Sequence, residues 1–249
     1  MTEPNRPSPA DIRAYRADHP KMREREIAAQ LGISEAALVA AECGLTAIRI
    51  SADANRLLDF APQLGEVMAL TRNESAVHEK IGVFETPKTG KGASVVLGEN
   101  IDLRVFPGAW AHAFAVTKTD GEDVRRSLQY FDRQGTAVHK VHLRPASDLD
   151  AYHRLVSEFT LEDQSQTFVA EAPAPVSAAE TEAVDLEGLR DGWSRMTDTH
   201  QFHGLLRKLK IERRDALHAI GEDYAWQLDG SAVEAMMRGA AEVALPLMC

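Results

Sequence analysis

Three side chains carry the chemistry that this sequence can do: His200, His203 and Arg104. On a helix running through Phe202, Leu205, Leu206 and Leu209, these four apolar residues cluster on one side, and His200 points roughly 170° from the centre of their stripe. An imidazole so placed faces a cleft, a neighbouring domain or water, and its neutral ring nitrogen is a metal ligand. His203 lies one turn on and about 60° nearer the stripe, where it is an alternative ligand or a residue at the edge of the core. Arg104 sits in Ile101–Phe106, whose alternation sends Ile101, Leu103 and Val105 to one face and Asp102, Arg104 and Phe106 to the other. From alternation alone, a guanidinium on that face reads as one that pairs with an Asp or Glu across the sheet.

Other titratable groups read as structural. Arg72, His78 and Glu79 are neighbours in one run, but the histidine and carboxylate lack a second ligand pair at usable spacing. His139 and His142 fall among Val138 and Val141 on a hairpin pattern and read as strand positions. The two cysteines, Cys43 and Cys249, have neither redox nor metal-ligand spacing.

The elements that must position these residues follow from periodicity. From Asp11 to Phe60 apolar residues recur at three and four around a turn at Leu31–Ser34, predicting helices. From Leu64 the period becomes strand-like. Glu66–Leu70, Ala76–Phe84, Ala93–Leu97, Ile101–Phe106, His112–Thr117, Ser127–Phe131 and Thr136–Leu143 are separated by turn signals such as Pro87–Gly92 and Asp132–Gly135. Short strands joined by tight turns predict a large antiparallel sheet, which a helix over Asp148–Phe159 covers. The fold class expected is α+β.

No Lys or Arg occurs between Arg154 and Arg190, and Glu171–Glu180 is rich in Ala and Pro, so a linker is expected at 166–185. It divides a first half, 1–165, from a second segment, 186–249, with helices over Leu186–Lys210, Arg213–Ile220 and Ser231–Val243. The second segment reads as a repeat of the first: Leu209–Glu212 matches Leu31–Ser34, and Leu245–Met248 then falls opposite the strand start at Val67–Leu70. The tandem halves are thus expected to differ, the second having helices but no sheet.

Arg25–Leu38 has the small residues and turn glycine of a helix-turn-helix, making a DNA-binding regulator the rival reading. Residues 1–50 carry seven basic and seven acidic side chains, however, and Glu35–Glu42 offers no Arg, Lys, Asn or Gln to base edges. The whole chain, with 28 Lys and Arg against 38 Asp and Glu, has net charge −10, so no nucleic-acid partner is expected. The polar N-terminus and the lack of a long apolar run predict a cytoplasmic chain without stable membrane insertion.

The runs Leu70–Glu79, Ile101–Phe106 with Trp110, His112–Val116 and Arg126–Lys140, and then Trp193 with Met196–His203, resemble in order the HemS/HmuS/ChuS-type haem-trafficking and haem-degrading family. The resemblance implies two similar halves with a haem between them, haem b as ligand or substrate, and a role in haem uptake and iron acquisition. It implies that His200 is the axial ligand to the iron and that Arg104 approaches the opposite face, with His203 as a further haem contact. It leaves open whether haem is passed on or is degraded by a haem-oxygenase-like reaction. Expected partners are a haem transporter, a downstream haem oxygenase or a reductase, since no nicotinamide or flavin fingerprint supplies electrons internally. A typical member continues with a second sheet after the position of Met248, so truncation within the second half is expected, and the haem contacts from that sheet cannot be assigned here.

Overall fold

The computed structural model describes residues 6–73, 76–172, 185–198 and 201–245. His200 lies outside the described residues. The chain divides into two compact units, Met1–Ala174 and Pro175–Cys249.

The first unit opens with α1 (Pro9–Asp18), α2 (Glu24–Leu31) and α3 (Glu35–Ala40). Ser8 caps α1 through a reciprocal bond with Asp11, and Ser34 caps α3 by accepting from Ala37 N–H at 3.2 Å. Gly32, at φ 63°, ends α2 in the left-handed conformation that glycine adopts without a Cβ clash. A strand β1 (Ala47–Ile50) and helix α4 (Ala54–Phe60) follow. Sequence periodicity had predicted helix throughout this stretch. Four residues, Ala-Ile-Arg-Ile, are too short for their pattern to separate strand from helix, and it is pairing with a distant strand that decides.

Six strands form the main sheet in the order β1-β7-β8-β9-β2-β3, with β2 Gly65–Arg72, β3 Val77–Gly82, β7 His112–Asp120, β8 Asp123–Phe131 and β9 Ala137–Ser147, all antiparallel. A second sheet contains β4 (Pro87–Lys88), β5 (Ser94–Leu97) and β6 (Asp102–Val105). The two-residue β4 falls where Pro87–Gly92 reads as a turn.

The main sheet has two unlike faces. Val67, Ala69, Ala115, Leu128, Tyr130 and Val141 point to the inner face, where they pack with Leu57 and Leu58 of α4, with Leu155 and Phe159 of α5 (Leu149–Phe159), and with Phe84, Val96, Ile101 and Val105 from the small sheet and its flanks. Helix α5 can cover it because Tyr152, Leu155, Val156 and Phe159 share one side. Asp148 starts α5 by accepting from Ala151 N–H at 2.8 Å. Asp148→Ala is expected to lower stability by about 1 kcal/mol, read as an earlier midpoint in urea, because that N–H loses its partner.

On the outer face, Phe114, Val116 and Phe131 at one end pack under Ala36, Val39 and Ala40 of α3. The chain after α5 returns to this side. Arg49 donates to the carbonyl of Ser165 at 2.9 Å, Phe168 packs on the same cluster, and Glu171 N–H bonds Arg133 O at 3.0 Å. Tertiary contacts thus carry the first unit past residue 165, where composition alone placed its end.

The second unit contains α6 (Leu186–Ser194), α7 (Gln201–Leu209), α8 (Arg213–Ala219) and α9 (Ala232–Glu242). Leu189, Leu206, Ala216 and Ile220 form its core, flanked by Trp193, Phe202, Leu205 and Leu209. The single helix expected over Leu186–Lys210 is therefore two. A Cβ on Gly192 would lie 2.3 Å from Leu205 Cδ1, so α6 and α7 touch at a glycine. Helices starting at Glu35 and Ala54 recur 178 positions later at Arg213 and Ala232, and the turn after α7 again has positive φ, now at Lys210 (51°). The repeat is one of structure as well as sequence. In α9, Val233, Met236 and Met237 stay exposed.

Candidate functional site

Arg104 is held by β6, the edge strand of the small sheet, directly opposite Val95 of β5. Burial follows the expected alternation: Ile101 and Val105 are buried and Leu103 is half-buried, while Asp102, Arg104 and Phe106 are exposed. Arg104 makes no ion pair among the described residues, so the alternative of a cross-strand pair is not what the structure contains. Phe106, 51% exposed, stands two residues on. A free guanidinium and an exposed ring on one strand face suit a flat, apolar, anionic ligand.

In the second unit His203 is exposed on α7, whereas Phe202, Leu205 and Leu209 are half-buried and Leu206 is buried. The wheel reading of this helix therefore matches its packing. His203 belongs to the second unit and Arg104 to the first.

The remaining titratable candidates have structural partners or separate positions. Arg72 pairs with Glu35 of α3, while His78 and Glu79 lie exposed on β3, where neighbours point to opposite faces. His139 is buried on β9, with Nδ1 2.9 Å from Thr71 Oγ1 and its ring stacked on Trp110 at 5.5 Å between centroids. Trp110 also meets Tyr130, the cross-strand neighbour of His139. Burial drives the pKa of His139 down to about 4, with His142 adding to the effect, and raises that of Tyr130.

A pH dependence follows for His139. In the unfolded chain it takes up a proton near 6.5, whereas in the folded state it does so only near 4. Between these values the unfolded state binds more protons, so stability is complete above about pH 6.5 and falls as pH drops towards 4. Urea midpoints across that range are expected to decline, and to decline less steeply in His139→Gln.

One cluster was not anticipated. Glu24, at the start of α2, meets Lys118 Nζ at 2.7 Å, Arg16 at 3.0 Å and Lys140 Nζ at 3.8 Å. Although burial opposes it, these cations hold the Glu24 carboxyl below its usual range, while burial lowers Lys140. The alternation that turns His139 inward should have shown Lys140 turned outward, but nothing local connects it to residue 24.

The helix-turn-helix resemblance has a packing explanation. In α3, Ala36, Leu38, Val39 and Ala40 are all buried and Glu35 is tied to Arg72, so the helix that would enter a groove is built into the core. Among the described residues no helix is long and apolar enough to cross a membrane.

This α+β fold, with its antiparallel sheets and repeated helices, is shared with solved haem-binding proteins. Residues 32–159 match the haemin-degrading HemS.ChuX domain, and the chain belongs to that family. It is 37% identical over 226 residues to the hemin transport protein HemS of Yersinia enterocolitica, a match covering 89% of this chain and 64% of that protein. The chain thus spans less than two thirds of that relative's length. Its fold superposes on holo-PhuS, a heme-binding protein from Pseudomonas aeruginosa, with TM-score 0.85 and 39% identity, covering 95% of this chain and 70% of the other. It also matches the heme degrading enzyme ChuS of Escherichia coli O157:H7, with TM-score 0.78 and 28% identity over 93% of this chain and 69% of that one.

Proposed function

We propose that this chain binds haem in the cytoplasm, as part of haem uptake, and either hands it on or takes part in its degradation to release iron. The observation that carries the reading is Arg104: in a chain of this family, the matched arginine is exposed, has no ion-pair partner among the described residues and shares its strand face with Phe106. His200 is the proposed axial ligand and Arg104 the contact on the opposite side, with His203 as the second imidazole of the same segment.

Bound haem supplies the redox chemistry, and the protein's part is to fix the iron, exclude water and present donors. A guanidinium is always protonated and purely a donor, so Arg104 can hold an oxygen ligand or a carboxylate but cannot act as a base. The neutral imidazole of His200 has the lone pair that iron needs. Electrons for degradation come from a separate reductase, and a haem transporter and a downstream haem oxygenase are the partners proposed for delivery.

Hemin titration of the purified chain tests the binding step, with a shifted Soret band as the expected result. Adding ascorbate or a reductase in air then separates the two fates. Bleaching of the band with release of iron marks degradation, and a persistent band marks transfer.

A further inference from the structure

Within the first unit, the outer sheet face beside α2 forms a cleft of about 410 Å³, lined by strands β2, β7, β8 and β9 and by Glu24 from α2. Six of its lining side chains are Lys or Arg and only Glu24 is a carboxylate, in a chain of net charge −10. Arg72, Arg125 and Arg144 are occupied by Glu35, Asp123 and Glu66. Lys140 is different. Its side chain is 10% exposed, and its ammonium faces Glu24 at 3.8 Å, an ion pair too long to be a hydrogen bond. No residue among those described accepts a hydrogen bond from it.

Directly across the strand pair stands Gln129, 1% exposed. Its Nε2 donates to Ser127 Oγ at 3.1 Å, while Oε1 has no donor. His142, two residues from Lys140 on the same face, makes no hydrogen bond among the described residues either, and it stays uncharged because burial and the two lysines disfavour a proton. Met68 and Leu70 complete an apolar wall. Buried polar groups without partners are costly, and they persist where a ligand satisfies them.

The unmet groups specify that ligand. Gln129 Oε1 is a buried acceptor that lacks an N–H or O–H donor, Lys140 has hydrogen-bonding capacity left for a second oxyanion beside Glu24, the His142 ring nitrogen is open to a donor, and the wall suits an apolar body. Haem does not fit, because its pyrrole nitrogens are bound to iron, and in a closed iron-free macrocycle the N–H groups point into the ring. An open-chain tetrapyrrole has carboxylates and an apolar conjugated body, and, unlike a closed macrocycle, it can rotate about its bridging bonds to turn N–H groups outward.

We propose that this cleft binds an open-chain, carboxylate-bearing tetrapyrrole, the class of compound produced when a haem ring is opened, with Lys140 on a carboxylate and Gln129 and His142 on its N–H groups. The choice of ligand class rests on the haem reading above; the existence of the cleft and its unmet groups does not. Within the first unit the site lies on the sheet face opposite the core against which the Arg104 strand packs.

The test is titration of the full chain with biliverdin, followed by absorbance and induced circular dichroism, with protoporphyrin IX and hemin as comparison ligands. Biliverdin is expected to bind more tightly than protoporphyrin IX and to weaken about tenfold in Lys140→Met and in His142→Phe. His200→Ala should leave biliverdin binding unchanged, and Lys140→Met should leave the hemin Soret shift unchanged. Absence of biliverdin binding, or equal binding in whichever of the two cleft variants folds as judged by circular dichroism, overturns the proposal. A chain that binds biliverdin in this way but gives no hemin Soret shift instead removes the haem reading and leaves the cleft.

Discussion

Replacing His200 with alanine is expected to abolish the shifted Soret band that hemin gives with the unaltered chain. The band reports the iron's axial ligand, and a methyl group offers no lone pair. Loss of the ligand should weaken binding by at least about a hundredfold, since even groups that only orient a ligand contribute 10- to 100-fold. Arg104→Ala provides the contrast. It removes a charged donor but no iron bond, so a weakened, still shifted band is expected, with affinity lower by about tenfold. An unchanged spectrum in His200→Ala would sink the assignment.

Gly135→Ala is expected to be the most damaging small change in the first unit. Gly135 sits in the turn between β8 and β9 at φ 81°, where a Cβ is strained, and a Cβ there would lie 2.4 Å from Ser34 Oγ and 2.8 Å from a Phe168 ring carbon. Neither neighbour is free to move. Ser34 caps α3, and the Gly135 carbonyl itself accepts from Ala36 N–H at 3.0 Å, fixing the helix against the turn. Relief would mean moving α3 off the sheet end formed by Phe114 and Phe131. Strain and clash together should cost about 3 kcal/mol, seen as a clear drop in the urea midpoint with an unaltered slope. Gly121→Ala, also at positive φ (60°) but with nothing near the added Cβ, is expected to cost only about 1 kcal/mol.

These two turns show which parts of the protein could be read locally. Asp132–Gly135 reads as a turn because its two ends, Asp132 and Gly135, are turn-favouring types, and the structure has a turn there. That its glycine must also admit Ser34, some hundred residues earlier in the chain, depends on α3 crossing the sheet end. The site divides in the same way. Alternation over Ile101–Phe106 was enough to send Arg104 outward, and the apolar spacing of Phe202, Leu205, Leu206 and Leu209 was enough to fix the buried side of α7. Only the structure shows that Arg104 lacks an ion pair. It also shows that Trp110, Tyr130 and His139 stack together, and that Glu24 draws in Lys118 and Lys140.

By itself the sequence determined the kinds of element, the face on which each alternating or helical residue lies, and the family, because backbone dihedral preferences and side-chain periodicity act over a few residues. Tertiary structure alone decided the strand order β1-β7-β8-β9-β2-β3, the conversion of Ala47–Ile50 into a strand, the break between α6 and α7, and the cleft around Lys140. Each of these depends on pairing or packing between residues far apart in the chain, where the energy of contact outweighs local preference and leaves no pattern in the adjacent sequence.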